Sequence, residues 1–253
     1  MTAKIELRKT SFIDFPGLIS SVFFFPGCNL RCPWCHNREF VTGGNEGKNL
    51  ISLQDGLAFL RKRINVLGGV VLSGGEPCLY NELSFLIAEI KKLKPFRQEN
   101  PLCCEKQLLV KLDTNGMLPA VLQKLFCREE TRPDYIALDL KLSPSRYAEL
   151  LPVNSSLADA ALPPAEALIK SAALVRQSGI PHEFRSLALP GGFFTDDDIK
   201  ALIPLVKDSP WYFRPFRGGN CLDPAWDNLE ESAGEERARV LTARARELGK
   251  NQG

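Results

Sequence analysis

Phe23-Phe24-Phe25-Pro26-Gly27-Cys28-Asn29-Leu30-Arg31-Cys32-Pro33-Trp34-Cys35-His36-Asn37 is the segment around which the rest of the chain is organised. Its opening phenylalanines end an apolar, β-prone run at 21–25, and Pro26-Gly27 stops it. The loop that follows carries three cysteines as C-x3-C-x2-C. A loop at a strand's C-terminal end can fold three thiolates toward one point. Three closely spaced thiolates with no fourth partner nearby suit a cubane iron–sulfur cluster whose fourth iron stays open. A structural zinc wants four closed ligands, often from two CxxC pairs, and no second pair exists here. His36 could complete a Cys3His zinc set only by turning back sharply on Cys35. Three cysteines used merely for packing is the weakest reading of the three.

Outward from this segment, short runs rich in β-branched or aromatic residues recur at 70–72, 108–112, 135–140, 184–189 and 211–216. Helix-period stripes lie between most of them. Leu53, Leu57, Leu60 and Ile64 form one, Leu83, Leu86, Ile87 and Ile90 the next, and Leu118, Val121, Leu122 and Leu125 a third. Leu168, Ala172 and Val175 precede the stop signals Gly179 and Pro181, and Ile199, Leu202, Ile203 and Val206 close the series. Ser52, with Asp55 three residues on, and Thr195 read as helix N-caps. Six strands alternating with helices predict an α/β fold with a parallel sheet. Periodicity leaves open whether that sheet curls into a partial barrel or stays open and doubly wound. Either way the strand ends line one face, where such folds place their chemistry. The stretches 94–106 and 142–164 read as surface loops. A charged helical tail at 229–250, anchored by Val240, Leu241 and Leu248, completes a single domain of 1–253 with its core at about 18–217.

Composition narrows the class. Of 253 residues, 44% are apolar and 25% charged, as in an ordinary globular protein. Lys plus Arg is 32 against 30 for Asp plus Glu, so nothing suggests nucleic acid or an anionic membrane as partner. No apolar run reaches membrane-spanning length. Met1-Thr2-Ala3-Lys4-Ile5-Glu6 lacks the layout of a signal peptide, so a cytoplasmic location is expected. In that reducing setting, eight cysteines read as metal or redox ligands before disulfides.

Three further motifs fall at strand ends. Ser73-Gly74-Gly75-Glu76-Pro77 closes the second strand; its paired glycines let backbone approach a neighbour closely, and its carboxylate can accept from an ammonium group. Taken alone, Gly-Gly-Glu is most often a plain turn. Leu112-Asp113-Thr114-Asn115-Gly116 closes the third strand and Ala137-Leu138-Asp139-Leu140-Lys141 the fourth. An aspartate inside an apolar strand is costly unless paired or ligated, and two of them would end adjacent strands. The bland reading is a carboxylate–lysine pair between Asp139 and Lys141 or a loop contact.

With its aromatic Trp34, the Cys28-Cys32-Cys35 pattern resembles the radical S-adenosylmethionine (SAM) enzymes. The resemblance implies a partial (β/α)6 TIM-like barrel of parallel strands with outer helices. It implies a [4Fe–4S] cluster held by Cys28, Cys32 and Cys35, with SAM completing the fourth iron. Gly74, Gly75 and Glu76 would then hold the methionine amino group, and Trp34, Asn37, Asn115 and Arg185 would border the cofactor. The Asp113–Gly116 and Asp139–Lys141 motifs resemble those of glycyl-radical-enzyme activases. On the pyruvate formate-lyase activase pattern, Asp113, Thr114, Asp139 and the Ala137 carbonyl would bind a monovalent cation, and Lys141 would face the cofactor. Lys9-Thr10-Ser11-Phe12-Ile13-Asp14-Phe15-Pro16-Gly17, His182–Arg185 with Leu189-Pro190-Gly191, and Asn220-Cys221-Leu222-Asp223 resemble proteins that activate anaerobic ribonucleoside-triphosphate reductase. Phe213–Gly219 departs from their usual glutamine-rich form, which leaves the identity of the partner open. The implied partners are a glycyl radical enzyme as protein substrate and a flavodoxin- or ferredoxin-like reductant. No side chain is expected to act as acid, base or nucleophile. Small-molecule radical chemistry, or a non-catalytic iron–sulfur or zinc module, are the rival readings. The latter leaves Gly74–Glu76 and Asp113–Gly116 without a purpose. One cluster is expected, because 38–68 contains no cysteine. Cys78 reads as packing, Cys103-Cys104 as an exposed pair, Cys127 as no ligand, and Cys221 as the one other cysteine near the active face.

Overall fold

The computed structural model describes residues 3–41, 49–93, 107–153, 162–229 and 234–250. One eight-stranded sheet organises them, in the order β3-β1-β2-β4-β5-β6-β7-β8. Strands β2 (Ser20–Phe25), β4 (Gly69–Gly74), β5 (Leu109–Thr114), β6 (Tyr135–Asp139), β7 (His182–Ala188) and β8 (Trp211–Pro215) run parallel. These are the six expected strands. The sheet ends in two different strands, so it is open rather than a closed barrel. Two antiparallel strands escaped the sequence reading: β1 (Lys4–Ser11) pairs with β2, and the three-residue β3 (Leu50–Ser52) pairs with β1.

Strand parity divides the sheet into two unlike faces. Phe23, Phe25, Val70, Leu72, Val110, Leu112, Ile136, Leu138 and Phe184 are fully buried in the main core. After the one-turn α1 (Arg38–Val41), they meet α2 (Leu53–Arg63), α3 (Leu83–Lys92), α4 (Pro119–Phe126), α5 (Pro164–Gln177) and α6 (Asp196–Val206), and the apolar stripes of α2–α6 are those predicted. Each such side chain contributes about 1.5–3 kcal/mol by burial. The opposite face carries a small apolar floor of Phe15, Val22 and Val71, and beyond it Ser73, Lys111, Asp113, Asp139 and Arg185. The expected caps are present. Ser52 Oγ accepts from Asp55 N, and Thr195 and Asp198 form a reciprocal capping box.

The tail forms α7 (Gly234–Lys250) against β7, β8 and α6. Leu241 and Leu248 anchor it as expected, but Val240 is 53% exposed. Ala238 and Ala245 share the inner face instead, because 238, 241, 245 and 248 follow the helical period and 240 does not. Of the expected loop 142–164, residues 154–161 lie outside the described residues, and the part before them has structure of its own. Pro144–Leu150 is a 3-10 turn that buries Leu142, Tyr147 and Leu150. The expected loop 94–106, with Cys103 and Cys104, lies outside the described residues. No helix among the described residues is long and apolar enough to cross a membrane.

Candidate functional site

At the C-terminal ends of the parallel strands lies a cavity of about 270 Å³. Cys28, Cys32 and Cys35 line it together with Trp34, Asn37, Gly74, Gly75, Asp113, Thr114, Asn115, Asp139, Lys141 and Arg185. Every expected site residue except Glu76 and Ala137 is on that wall. Leu30, Val41, Ser73 and Leu187 also line it without having been given a role from sequence, as does His36, which was weighed only as a zinc ligand. Of these, Ser73 could have been flagged, since it begins the Gly-Gly-Glu motif.

The cysteine loop is held from four sides. Short-range bonds shape it locally: Cys35 N donates to Cys32 O at 3.0 Å, and Arg31 Nη1 donates to the carbonyls of Cys28 and Leu30. From β4, Glu76 N donates to Gly27 O at 2.8 Å, and Gly74 O accepts from Asn37 Nδ2 at 3.2 Å. From β5, Asn115 Nδ2 donates to Asn29 Oδ1 at 2.7 Å and lies 3.7 Å from Cys28 Sγ. Arg31 N reaches Leu150 O at 2.6 Å in the turn after β6. The segment after β8 closes the far side, where Asp223 N donates to Pro33 O and Asn220 Nδ2 to His36 O. Trp34 is 2% exposed and packs edge-on against Phe193 and tilted against Trp226.

Gly74 and Gly75 explain why β4 approaches so closely. Gly74 has φ +118°, a region costly for other residues. A Cβ on Gly75 would overlap the Gly27 carbonyl, and one on Gly74 would overlap the Phe25 backbone. The close neighbours that the glycines admit are therefore the end of β2, at Gly74, and the cysteine loop, at Gly75. Glu76 also departs from expectation. It is 1% exposed, and its carboxylate has three protein donors: Cys78 N at 3.0 Å and Thr114 Oγ1 at 2.9 Å on one oxygen, Asn115 N at 2.7 Å on the other. Burial pushes its carboxyl up against the pull of those donors. It ties the end of β4 to the end of β5 rather than facing the cavity.

Asp113 and Asp139 end adjacent strands as expected, and a guanidinium joins them. Arg185 Nε donates to Asp139 Oδ1 at 2.9 Å, and its Nη1 lies 3.4 Å from Asp113 Oδ2. Lys141 pairs with Asp139 at 3.3 Å. Burial alone would raise the Asp139 carboxyl, but Arg185 and Lys141 outweigh it and hold it below the usual range. Tyr147 Oη accepts from Lys141 N and donates to Asp139 O, fixing the strand end. The donors expected for a monovalent cation are thus already engaged. Thr114 Oγ1 serves Glu76, and both carboxylates face Arg185. No role is assigned to a cation.

The three thiols do fit an iron–sulfur cluster. Burial raises all three, Cys32 to about 12, while Lys141 lies close enough to oppose the rise in each. Such thiols ionise only against strong positive charge, which iron supplies. Among the described residues, no group of three or more His, Cys, Asp or Glu side chains converges on a single ion. Cys78 is buried 3.7 Å from Thr114 Oγ1, consistent with packing, and Cys127 is exposed. Cys221 is fully buried, with its backbone N bonded to Asp227 and its thiol raised to about 11 by burial.

Comparison with known proteins agrees with this geometry. The model of the Radical SAM superfamily matches residues 22–206. A protein of Methanocaldococcus jannaschii, provisionally named a glycyl-radical enzyme activating enzyme, is 29% identical over 202 residues, covering 80% of this chain and 74% of that protein. The pyruvate formate-lyase 1-activating enzyme of Escherichia coli K12 is 33% identical over 134 residues, 51% of this chain and 48% of that enzyme. Among solved structures, a radical SAM methyltransferase from Sphaerobacter thermophilus shares the fold, with a TM-score of 0.58 and 16% identity. That match covers 95% of this chain and 66% of the other.

Proposed function

We propose, for a chain that belongs to the Radical SAM superfamily, that it is an activating enzyme for a glycyl radical enzyme. A [4Fe–4S] cluster with SAM bound supplies the chemistry of this class: one electron splits the cofactor to give a 5′-deoxyadenosyl radical able to take a hydrogen atom from a glycine α-carbon. The observation that carries the reading is the single cavity walled by all three cysteines and by the ends of β4, β5, β6 and β7. The names of the relatives point the same way.

The chain's own residues bind and orient; none needs to move a proton. Cys28, Cys32 and Cys35 would hold three irons, with Asn115 Nδ2 and Leu30 N directed at the Cys28 sulfur. Gly74 and Gly75 present backbone toward the cofactor's methionine group, while Glu76 sets their position from behind. Asp113, Asp139, Arg185 and Lys141 offer paired charges to its carboxylate and ribose. The partner class is a protein bearing a glycine loop, served by a flavodoxin- or ferredoxin-like reductant. Anaerobic ribonucleotide reductase is the candidate suggested by the motifs at 9–17 and 220–223. The test is anaerobic incubation of cluster-loaded protein with reductant, SAM and a captured partner. A glycine-centred radical on the partner, with its α-deuterium appearing in 5′-deoxyadenosine, is expected. Label arising only from a metabolite would move the protein to small-molecule chemistry.

A further inference from the structure

We propose that Lys111 is a positioning residue for the cofactor site, acting through Asp113 on Arg185. The proposal rests on the cofactor reading above. Lys111 lies in the middle of β5 and is 2% exposed. Its neighbours Val110 and Leu112 face the helices, so parity turns Lys111 to the inner face. An ammonium buried there is costly unless fully paired. Its Nζ has two partners, Asp113 Oδ1 at 2.7 Å and the carbonyl of Asp14 at 2.8 Å. Asp14 belongs to the connection from β1 to β2, whose Phe15 closes the apolar floor at the opposite end of the sheet from the cysteines.

From that floor a ladder of alternating charge climbs to the cavity. Lys111 holds one oxygen of Asp113. The other oxygen accepts from Ser73 Oγ at 3.1 Å and faces Arg185 Nη1 at 3.4 Å. Arg185 in turn holds Asp139, and Asp139 holds Lys141 beside the thiols. Asp113, Asp139, Arg185 and Lys141 line the cavity; Lys111 does not. Without Lys111, Asp113 would lose the partner that fixes one carboxylate oxygen, and could swing toward Arg185. Arg185 would then be drawn from Asp139, and the charge pattern presented to the cofactor would change. The ladder also gives the β1–β2 connection a purpose: its Asp14 carbonyl anchors the lowest rung.

SAM affinity, titrated on cluster-loaded, unreduced protein, tests this, with iron content and melting temperature recorded for each variant. Lys111→Met is expected to weaken binding about tenfold, a coupling ordinary for a shared ionic network, with iron content unchanged. Lys111→Arg should recover most of the loss. In an Asp113→Asn background, Lys111→Met should have no further effect. Wild-type affinity in Lys111→Met, with only a lower melting temperature, would overturn the proposal and leave Lys111 a structural anchor. An equal drop in both backgrounds would overturn it as well. Should Lys111→Met fail to fold, the double variant, which removes both charges together, is compared with Asp113→Asn alone: equal affinity supports the proposal, and a further drop refutes it. Wild-type binding separates the two readings. Its absence would sink the cofactor assignment and this proposal with it, whereas normal wild-type binding with an unaffected Lys111→Met sinks the proposal alone.

Discussion

At Glu76, a carboxylate with three protein donors sits where a cofactor contact was expected. Replacing it by Gln keeps the shape but turns one acceptor into a donor facing an N–H or hydroxyl. The expected cost is about 1–3 kcal/mol of stability without SAM, read from urea unfolding. A Gln variant as stable as wild type but weaker in SAM binding would return the carboxylate to the ligand. Asp139 gives a pH dependence with a definite sign. Its folded carboxyl lies below the ordinary 3.8, so its contribution is complete above that value and is lost as pH falls through the folded value. The stability difference between wild type and Asp139→Asn should therefore shrink as the solution is acidified below about pH 4. A difference that stays constant would mean that Arg185 and Lys141 do not favour the charged form. The residue types of the site were legible because the motifs name them. Their partners were not: nothing in the spacing of Asp113, Asp139 and Arg185 says that a guanidinium would bridge carboxylates 26 positions apart along the chain.

Individual elements differ in how clearly the sequence announces them. The six parallel strands were legible as apolar runs because both faces of most are covered. β1 was not, because Lys4, Glu6, Arg8, Lys9 and Thr10 break its pattern, and most of it stays at least partly exposed between β2 and the short edge strand β3. β3 has only three residues and no period to detect. Val240 was misplaced for a related reason: in a tail with few apolar residues the large ones attract attention, while Ala238 and Ala245 do the packing. The Gly-Gly turn after β4 yields a prediction of its own. Gly75→Ala places a methyl into the Gly27 carbonyl, so β4 and the cysteine loop must separate. Iron bound per chain after reconstitution should fall severalfold, while the far-UV spectrum stays native, since the helices and sheet core are untouched. Full iron loading in this variant would show that the close approach is dispensable.

Across the whole molecule, the cysteine loop is where distant parts of the chain meet. Residues 26–37 are bonded from the ends of β4 and β5, from the turn after β6 and from the segment after β8, and aromatic rings from 193 and 226 bury Trp34. Because of that convergence, the loop is held in part by residues 220–226, far from the three cysteines along the chain. Trp226→Ala should thus lower iron retention during chelator challenge relative to wild type; unchanged retention would make the closing segment incidental. Cleavage of SAM is the activity that this woven site most directly implies. Anaerobically reconstituted protein, reduced and given SAM, should release 5′-deoxyadenosine and methionine in equal amounts, and Cys32→Ala should release neither. A fully cluster-loaded wild-type protein that leaves SAM intact, or a Cys32→Ala variant that cleaves it at the wild-type rate, would contradict the account.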